Sequence, residues 1–129
     1  MLVIRQEQFD AFSQKKKDHF VDRILEHLQS KYPESLENLS RRTIRERIHV
    51  GLKKASHYGF ASKRDLCAFV SIMFTIAPNF DQQSLIQECL TDEEVAGVNR
   101  LNLIMSICSE EDWAEARENY DESASKSWE

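Results

Sequence analysis

Charged residues are absent from residues 66–77 (LCAFVSIMFTIA), which belong to the longest uncharged run in the chain. At 100° per residue, the larger apolar side chains of this stretch fall on one side of a helix, and the other side is also uncharged. A helix that is neutral most of the way round is typical of a buried helix. Ser62 and Asp65 form a capping pattern before the stretch, and Pro78 ends it. We therefore predict a buried central helix over about residues 63–77.

Apolar residues recur with helical period on both sides of this stretch. Ser40, Asp81 and Ser109 are placed to cap three of the resulting segments, and Thr91 with Glu94 forms a capping-box pattern before another. The predicted helices outside the centre are 6–31, 41–58, 82–90, 92–108 and 109–120. In the fifth helix of the chain, the residues expected to face inward are Val95, Val98, Leu101, Ile104 and Met105.

These segments predict an all-α fold, a single small bundle of five to six helices around the central helix. The chain contains only three Gly and two Pro, which favours long helices over a turn-rich β fold. Its 129 residues suit one domain, which we expect to cover residues 1–120. Residues 121–129 (DESASKSWE) show no periodicity and predict a disordered acidic, serine-containing tail.

Charge is distributed unevenly along the chain. Residues 1–60 hold 12 Lys and Arg against 8 Asp and Glu, whereas residues 61–129 hold 5 against 14. The two halves therefore carry opposite net charges of +4 and −9, which matters more for the choice of partners than the total of −5.

The three cysteines, Cys67, Cys89 and Cys108, are odd in number and lie far apart in apolar or acidic surroundings. This pattern is typical of reduced thiols with raised pKa values in a cytoplasmic protein, rather than of a disulfide framework or a catalytic thiolate. The first residues, MLVIRQEQF, lack the apolar core of a signal peptide. We expect a cytoplasmic protein without a membrane anchor.

Residue types that bind metals or act as acids and bases are present, but their spacing favours structural roles. His19 and His27 are eight residues apart, as are His49 and His57, which is about 12 Å along a helix and too far to share one metal ion. The acidic clusters at 92–94 and 110–112 follow capping hydroxyls, where the helix dipole stabilises them. We therefore expect no catalytic residue, no cofactor and no metal site.

The sharpest surface feature is a basic face on the predicted helix 41–58. Arg42, Arg45, His49 and Lys53 project from one side of it. The residues at the flanks of this face are Arg41, Arg47 and Lys54. Such a face is compatible with a solvated surface, with docking of an acidic protein, or with nucleic acid. Nucleic acid is the weaker interpretation, because the helix after the YGFAS turn carries no Arg, Asn, Gln or Lys beyond its first turn to read bases.

A family resemblance narrows the choice of partner. The segments VIRQEQFDAF, FVDRILEHL, YPE, IRERIHVGLKKASHYGFASKRDLCAFVSIMF and PNFD are similar to those of small helical proteins encoded beside spike-tip and toxin-effector genes in bacterial type VI secretion clusters. The likeness extends over about residues 3–115 and includes no catalytic motif. It implies a non-enzymatic accessory protein, either a chaperone or adaptor for a secreted toxin or spike component, or the immunity protein of such a toxin.

Taken together, these observations predict a cytoplasmic protein that holds a protein partner by occlusion and not by chemistry. The alternatives are an immunity protein against a toxin that acts in the cytoplasm, and a DNA-binding regulator that uses the basic helix 41–58. The residues expected to contact the partner are Arg42, Arg45, His49, Lys53, Phe9 and Phe12.

Overall fold

The computed structural model describes residues 14–126, and within them the predicted all-α fold is confirmed. Of these residues 77% are helical, and no strand is present among them. The six α-helices of this part of the chain are α1 (Gln14–Lys31), α2 (Arg41–His57), α3 (Lys63–Thr75), α4 (Ser84–Thr91), α5 (Gly97–Ile107) and α6 (Glu110–Glu118). Short 3₁₀ helices occupy Pro33–Leu36, Phe80–Gln82 and Glu122–Ser125.

Helix α3 is the buried centre of the bundle, as its uncharged sequence predicts. Leu66, Phe69 and Val70 have no exposed surface, and the helix packs most extensively against α2. The ring of Phe69 lies among other aromatic rings, with centroids 5.3 Å from Phe60 and 4.9 Å from Phe80. Aromatic side chains bury large apolar areas, so this cluster contributes strongly to the stability of the core.

The predicted serine caps are confirmed at three helix starts. The hydroxyl groups of Ser40 and Ser62 accept hydrogen bonds from the backbone N–H groups of Thr43 and Asp65, each at 3.1 Å. Ser109 and Asp112 form a reciprocal capping box at the start of α6. Each such cap stabilises its helix by about 1 kcal/mol, so the local sequence fixes where these helices begin.

A close approach between α2 and α3 explains the position of Gly51. A Cβ atom added there would lie 2.9 Å from Cγ2 of Val70 and 3.0 Å from Sδ of Met73. Both distances are shorter than ordinary van der Waals contact, so a larger residue would push the two helices apart.

The prediction for α5 was wrong at its start and on part of its inward face. The helix begins at Gly97 rather than at residue 92, and Thr91 is the last residue of α4 instead of a cap. Val98 is 44% exposed and Met105 61% exposed, although Leu101 and Ile104 are buried as expected.

Tertiary contacts explain this later start of α5. A Cβ atom at Gly97 would lie 2.2 Å from the carbonyl oxygen of Gly59, so the two backbones meet here. The guanidinium group of Arg100 donates hydrogen bonds to the carbonyl oxygens of Tyr58, Val95 and Asp92 at 2.7, 3.2 and 3.0 Å. These bonds hold the 92–96 turn against the end of α2 and satisfy carbonyl groups that a longer helix would have used internally.

Two further predictions failed at Asp81 and Lys54. Asp81 does not cap α4, because Gln83 accepts the hydrogen bond from the backbone N–H of Ile86 in that role. Lys54 does not lie on the basic face and is buried, like Asp81. The two side chains form an ion pair, with Nζ of Lys54 2.7 Å from Oδ1 of Asp81.

The buried ion pair belongs to a small polar network. Lys54 also donates to the carbonyl oxygen of Pro78 at 3.0 Å, and the Tyr58 hydroxyl donates to Oδ2 of Asp81 at 2.7 Å. Burial, the negative charge of Asp81 and the hydrogen bond to it raise the pKa of Tyr58, which keeps this hydroxyl a donor. Within the described residues, no buried side-chain nitrogen or oxygen lacks a hydrogen-bond partner. The network therefore ties α2 to the connection between α3 and α4.

The end of the described chain differs from the predicted disordered tail. Residues 122–125 form a 3₁₀ helix, and Ser125 is only 2% exposed. Asp121 accepts hydrogen bonds from the backbone N–H and the hydroxyl group of Ser123, which organises the turn locally. Apolar periodicity misses such a segment because its order comes from single polar contacts, both within the turn and with Arg47 and Asn79.

We expect Lys54→Met to lower the free energy of unfolding by about 3–5 kcal/mol, because it leaves the buried carboxylate of Asp81 without its counter-charge. Urea denaturation of the full chain measures this change. Lys53→Met is the matched control, because Lys53 is the exposed neighbour on the same helix and its substitution is expected to change stability by less than about 0.5 kcal/mol. Equal effects of the two substitutions would contradict the structural role of the ion pair.

Candidate partner-binding groove

A shallow, open groove runs between α1 and α2 on the surface that carries most of the predicted basic face. Its lining consists of Asp18, Arg41, Arg42, Arg45, Glu46 and His49. Helix α2 contributes all of these residues except Asp18, so its wall carries three arginines and one glutamate, and α1 adds one carboxylate. We call it the α1–α2 groove.

Arg45 is the anchored residue of the α1–α2 groove. Its guanidinium group pairs closely with Asp22 and lies 3.7 Å from the carboxylate of Asp18, one helical turn earlier on α1. Its side chain is 26% exposed, so the charge is partly screened from water by the protein. This pairing connects α2 to α1 through both terminal nitrogens of the guanidinium group.

Arg41 and Arg42 are held more loosely. Arg41 lies 3.8 Å from Asp22, and Arg42 lies 3.2 Å from Glu46 one turn later on the same helix. The Arg41 and Arg42 side chains are 62% and 90% exposed. Exposed ion pairs of this kind contribute about 0–1 kcal/mol, so a stronger carboxylate partner can replace them at little cost.

His49 and Lys53 complete the face predicted from the sequence. His49 is half-buried, and burial together with the positive charge of Arg45 lowers its pKa, while Asp18 opposes this shift and Lys17 adds to it. Lys53 is exposed and forms no ion pair with any residue in 14–126.

The structure therefore brings Arg42, Arg45 and His49 into one groove, with Lys53 further along the same helix. Phe9 and Phe12, the other expected contact residues, lie outside the described residues. Two basic residues predicted at the flanks of this face lie outside the groove. Lys54 is buried, and Arg47 pairs with Glu122 at 2.9 Å.

Sequence reasoning missed the acidic residues that compensate this face. The Arg42–Glu46 pair is visible as an i,i+4 spacing on one helix. The positions of Asp18 and Asp22 opposite Arg45 depend on the rotation of α1 against α2, which no local pattern encodes. The basic face is thus smaller and more neutralised than its sequence suggests.

Other chemistries receive little support from the described residues. No group of three or more His, Cys, Asp and Glu side chains among them is arranged to hold a metal ion. Burial raises the pKa of all three cysteine thiols, as their sequence surroundings predict. None of the helices in residues 14–126 is long and apolar enough to cross a membrane.

The structure also bears on the DNA-binding interpretation. Helix α3 follows α2 after a short turn, as the second helix of a helix-turn-helix would, but it is the buried centre of the bundle. Its basic side chains are Lys63 and Arg64, both in the first turn. The remainder of the helix therefore offers no Arg, Lys, Asn or Gln side chain that could read base edges.

Comparison of the chain with protein-family models, with curated proteins and with solved structures finds no match in any of the three.

His49 makes the stability of the fold depend on pH. Its pKa in the folded chain lies below the ordinary value of 6.5, so the unfolded chain takes up a proton first as the pH falls. We expect the free energy of unfolding to fall as the pH drops through 6.5 and to level off below the folded pKa. Urea denaturation between pH 7.5 and 5 should show a shallower decline for His49→Gln, and identical pH slopes would contradict the prediction.

Cys108 should react slowly with alkylating reagents in the folded chain. Burial, followed by the effects of Cys89 and Asp112, raises its pKa from 9.0 to about 11. Since the thiolate is the reactive form, we expect modification by iodoacetamide at pH 8 to be about a hundredfold slower than in the urea-unfolded chain. Mass spectrometry of the labelled peptide measures both rates, and similar rates in the two states would show that the thiol is not shifted.

Proposed function

We propose that the protein is a non-enzymatic, cytoplasmic binding protein whose α1–α2 groove takes an acidic segment of a partner protein. The observation that carries this proposal is the contrast between Arg45, which is fixed by Asp22 and Asp18, and Arg41 with Arg42, which are exposed and weakly paired. Arg45, whose position is fixed, would orient a bound carboxylate, and Arg41 and Arg42, whose present partners are easily replaced, would attract it. The two together suit recognition of a carboxylate-rich segment.

The proposed partner is a secreted toxin or a spike component, and the protein would act as its chaperone or adaptor. This part of the proposal comes from the resemblance to small helical proteins of type VI secretion clusters. An acidic segment docked on α2 would be held and shielded without any chemical change. An immunity protein would use the same kind of contact, so a cell-survival assay must separate the two roles.

Two adjacent pairs of basic residues allow a matched test of the groove. Arg41 and Arg42 are the first two residues of α2, and Lys63 and Arg64 are the first two residues of α3; both pairs are exposed and follow a capping serine. Substitution by Glu places carboxylates in a first helical turn in either case, where the helix dipole stabilises them. The two double variants are therefore matched at the helix start, but R41E/R42E also loses the exposed ion pairs of Arg41 with Asp22 and of Arg42 with Glu46, which contribute about 0–1 kcal/mol each. Urea denaturation of both variants checks that they stay folded.

We expect R41E/R42E to weaken binding of the partner at least tenfold, which is about 1.4 kcal/mol, and K63E/R64E to leave it unchanged. The partner is first identified by mass spectrometry after a pull-down with the tagged full chain. Binding of the purified partner to each variant is then measured by calorimetry at low and moderate salt. Binding that is insensitive to R41E/R42E would refute the assignment of the groove.

The alternative roles give different outcomes in the same series. An immunity protein would restore growth of cells that express the toxin, and R41E/R42E would abolish this rescue, whereas a pure chaperone would not protect them. A DNA-binding regulator would bind duplex DNA with an affinity that falls steeply as salt increases, and K63E/R64E would also weaken it.

A further inference from the structure

A second groove lies on the other side of α2 and is covered by the end of the described chain. Arg45 and Arg47 are about 200° apart around a helix, so Arg47 faces away from the α1–α2 groove. Residues 119–126 (NYDESASK), here called the strap, cross α2 and the end of α3 on this side. The contacts of the strap resemble those between a protein and a bound peptide.

Asn79 binds the backbone of the strap in both directions. Its side-chain amide donates a hydrogen bond to the carbonyl oxygen of Asn119 at 2.8 Å, and its side-chain oxygen accepts one from the backbone N–H of Asp121 at 2.9 Å. On the strap side both bonds use main-chain groups, so they would form with any peptide that has the same turn in this position.

Arg47 supplies the charged contact. Its side chain is 13% exposed and donates a hydrogen bond to the carboxylate of Glu122 at 2.9 Å, while the Glu122 side chain is 56% exposed. The cation comes from the body of the protein and the carboxylate from the strap, which itself covers part of the Arg47 side chain. A guanidinium group in this position favours an acidic residue in the covering segment.

The strap fills the second groove incompletely. A cavity of about 50 Å³ remains between strap and body, and its lining is mixed: Ser35, Arg47, Met73, Phe74 and Pro78 from the body, and Tyr120 and Ser125 from the strap. Ser125 is buried, whereas Tyr120 is 52% exposed although it borders the cavity. A better-fitting peptide could place more apolar surface here than the strap does.

We propose that the groove beneath the strap is a peptide-binding site for an acidic segment of a partner protein that forms the same short turn, and that the strap occupies it in cis. The preferred segment has an aromatic residue two positions before the recognised carboxylate and a small residue three positions after it, as in the strap itself. The strap then competes with the partner. The partner's apparent affinity equals its affinity for the open groove multiplied by the fraction of chains in which the groove is open.

The test measures binding of a synthetic peptide to the full-length protein. The peptide has the strap sequence, NYDESASK, with both termini capped and a fluorophore attached. Glu122→Arg places a positive charge against Arg47 and releases the strap while leaving the body of the groove intact. We expect this variant to bind the peptide at least tenfold more tightly than the original chain does, as measured by fluorescence anisotropy. Hydrogen exchange of the strap amides reports its release.

Charge and backbone contacts can each be tested in the released protein. The double variant R47E/E122R restores an ion pair between body and strap with the charges exchanged, and we expect it not to bind NYDESASK. The peptide NYDRSASK, in which arginine replaces the recognised glutamate, should not bind to the Glu122→Arg variant. Asn79→Ala in that variant should weaken peptide binding several-fold, whereas Asn102→Ala, an exposed asparagine on α5, should not. R41E/R42E should leave peptide binding unchanged, which keeps this site distinguishable from the α1–α2 groove.

A second variant is needed in case Glu122→Arg does not release the strap. Ser125→Lys forces a charge into a position that is 2% exposed, which is costly unless the strap leaves. Binding of NYDESASK to either released variant, with the stated dependence on Arg47, supports the proposal. If neither variant binds the peptide at millimolar concentration while circular dichroism shows a native helical content, the strap is only a structural element and the proposal is overturned.

Discussion

The rotation of α2 is set by the buried contact between Lys54 and Asp81. An ammonium group with 1% of its residue exposed cannot lie in the interior without a partner, and Asp81, Pro78 and the neighbouring Tyr58 hydroxyl complete the network. Because Asp81 belongs to the connection between α3 and α4, the ion pair fixes α2 to the second half of the chain at one angular setting. Any other rotation of α2 would bury a charge without its partner.

This setting gives the two remaining sides of α2 different functions in the structure. One side presents Arg45 to the carboxylates of α1, and the opposite side presents Arg47 to the strap. The helix therefore forms a wall of both grooves. The guanidinium group of Arg45 is held by α1, and that of Arg47 is held by the strap.

The parts of the fold that could be predicted from the sequence are those with local causes. The helical period of apolar residues in an uncharged stretch predicted α3. Serine residues in capping positions predicted the starts of α2, α3 and α6. The start of α5 was missed because the backbone contact between Gly59 and Gly97 is tertiary. Lys54 was assigned to the surface because it follows other basic residues on the same helix. Nothing in the local sequence indicates that it pairs with a buried acid 27 positions later. Of the candidate site, the positions of Arg42, Arg45 and His49 were predicted, but their acidic neighbours on α1 were not.

The opposite charges of the two halves acquire a different meaning once the pairs are known. The basic excess of residues 1–60 suggested a strongly positive surface, yet Lys54 and Arg47 pair with carboxylates from the acidic half, and Arg45 pairs within its own half. Two of the twelve basic residues in 1–60 therefore serve contacts between the halves within the fold. The cations that stay accessible on α2 are few, and Arg41, Arg42 and Lys53 are the most exposed of them. A nucleic acid backbone demands many cations along a continuous track, which these three residues of α2 do not form by themselves. This is why the proposed partner of the α1–α2 groove is a short acidic segment.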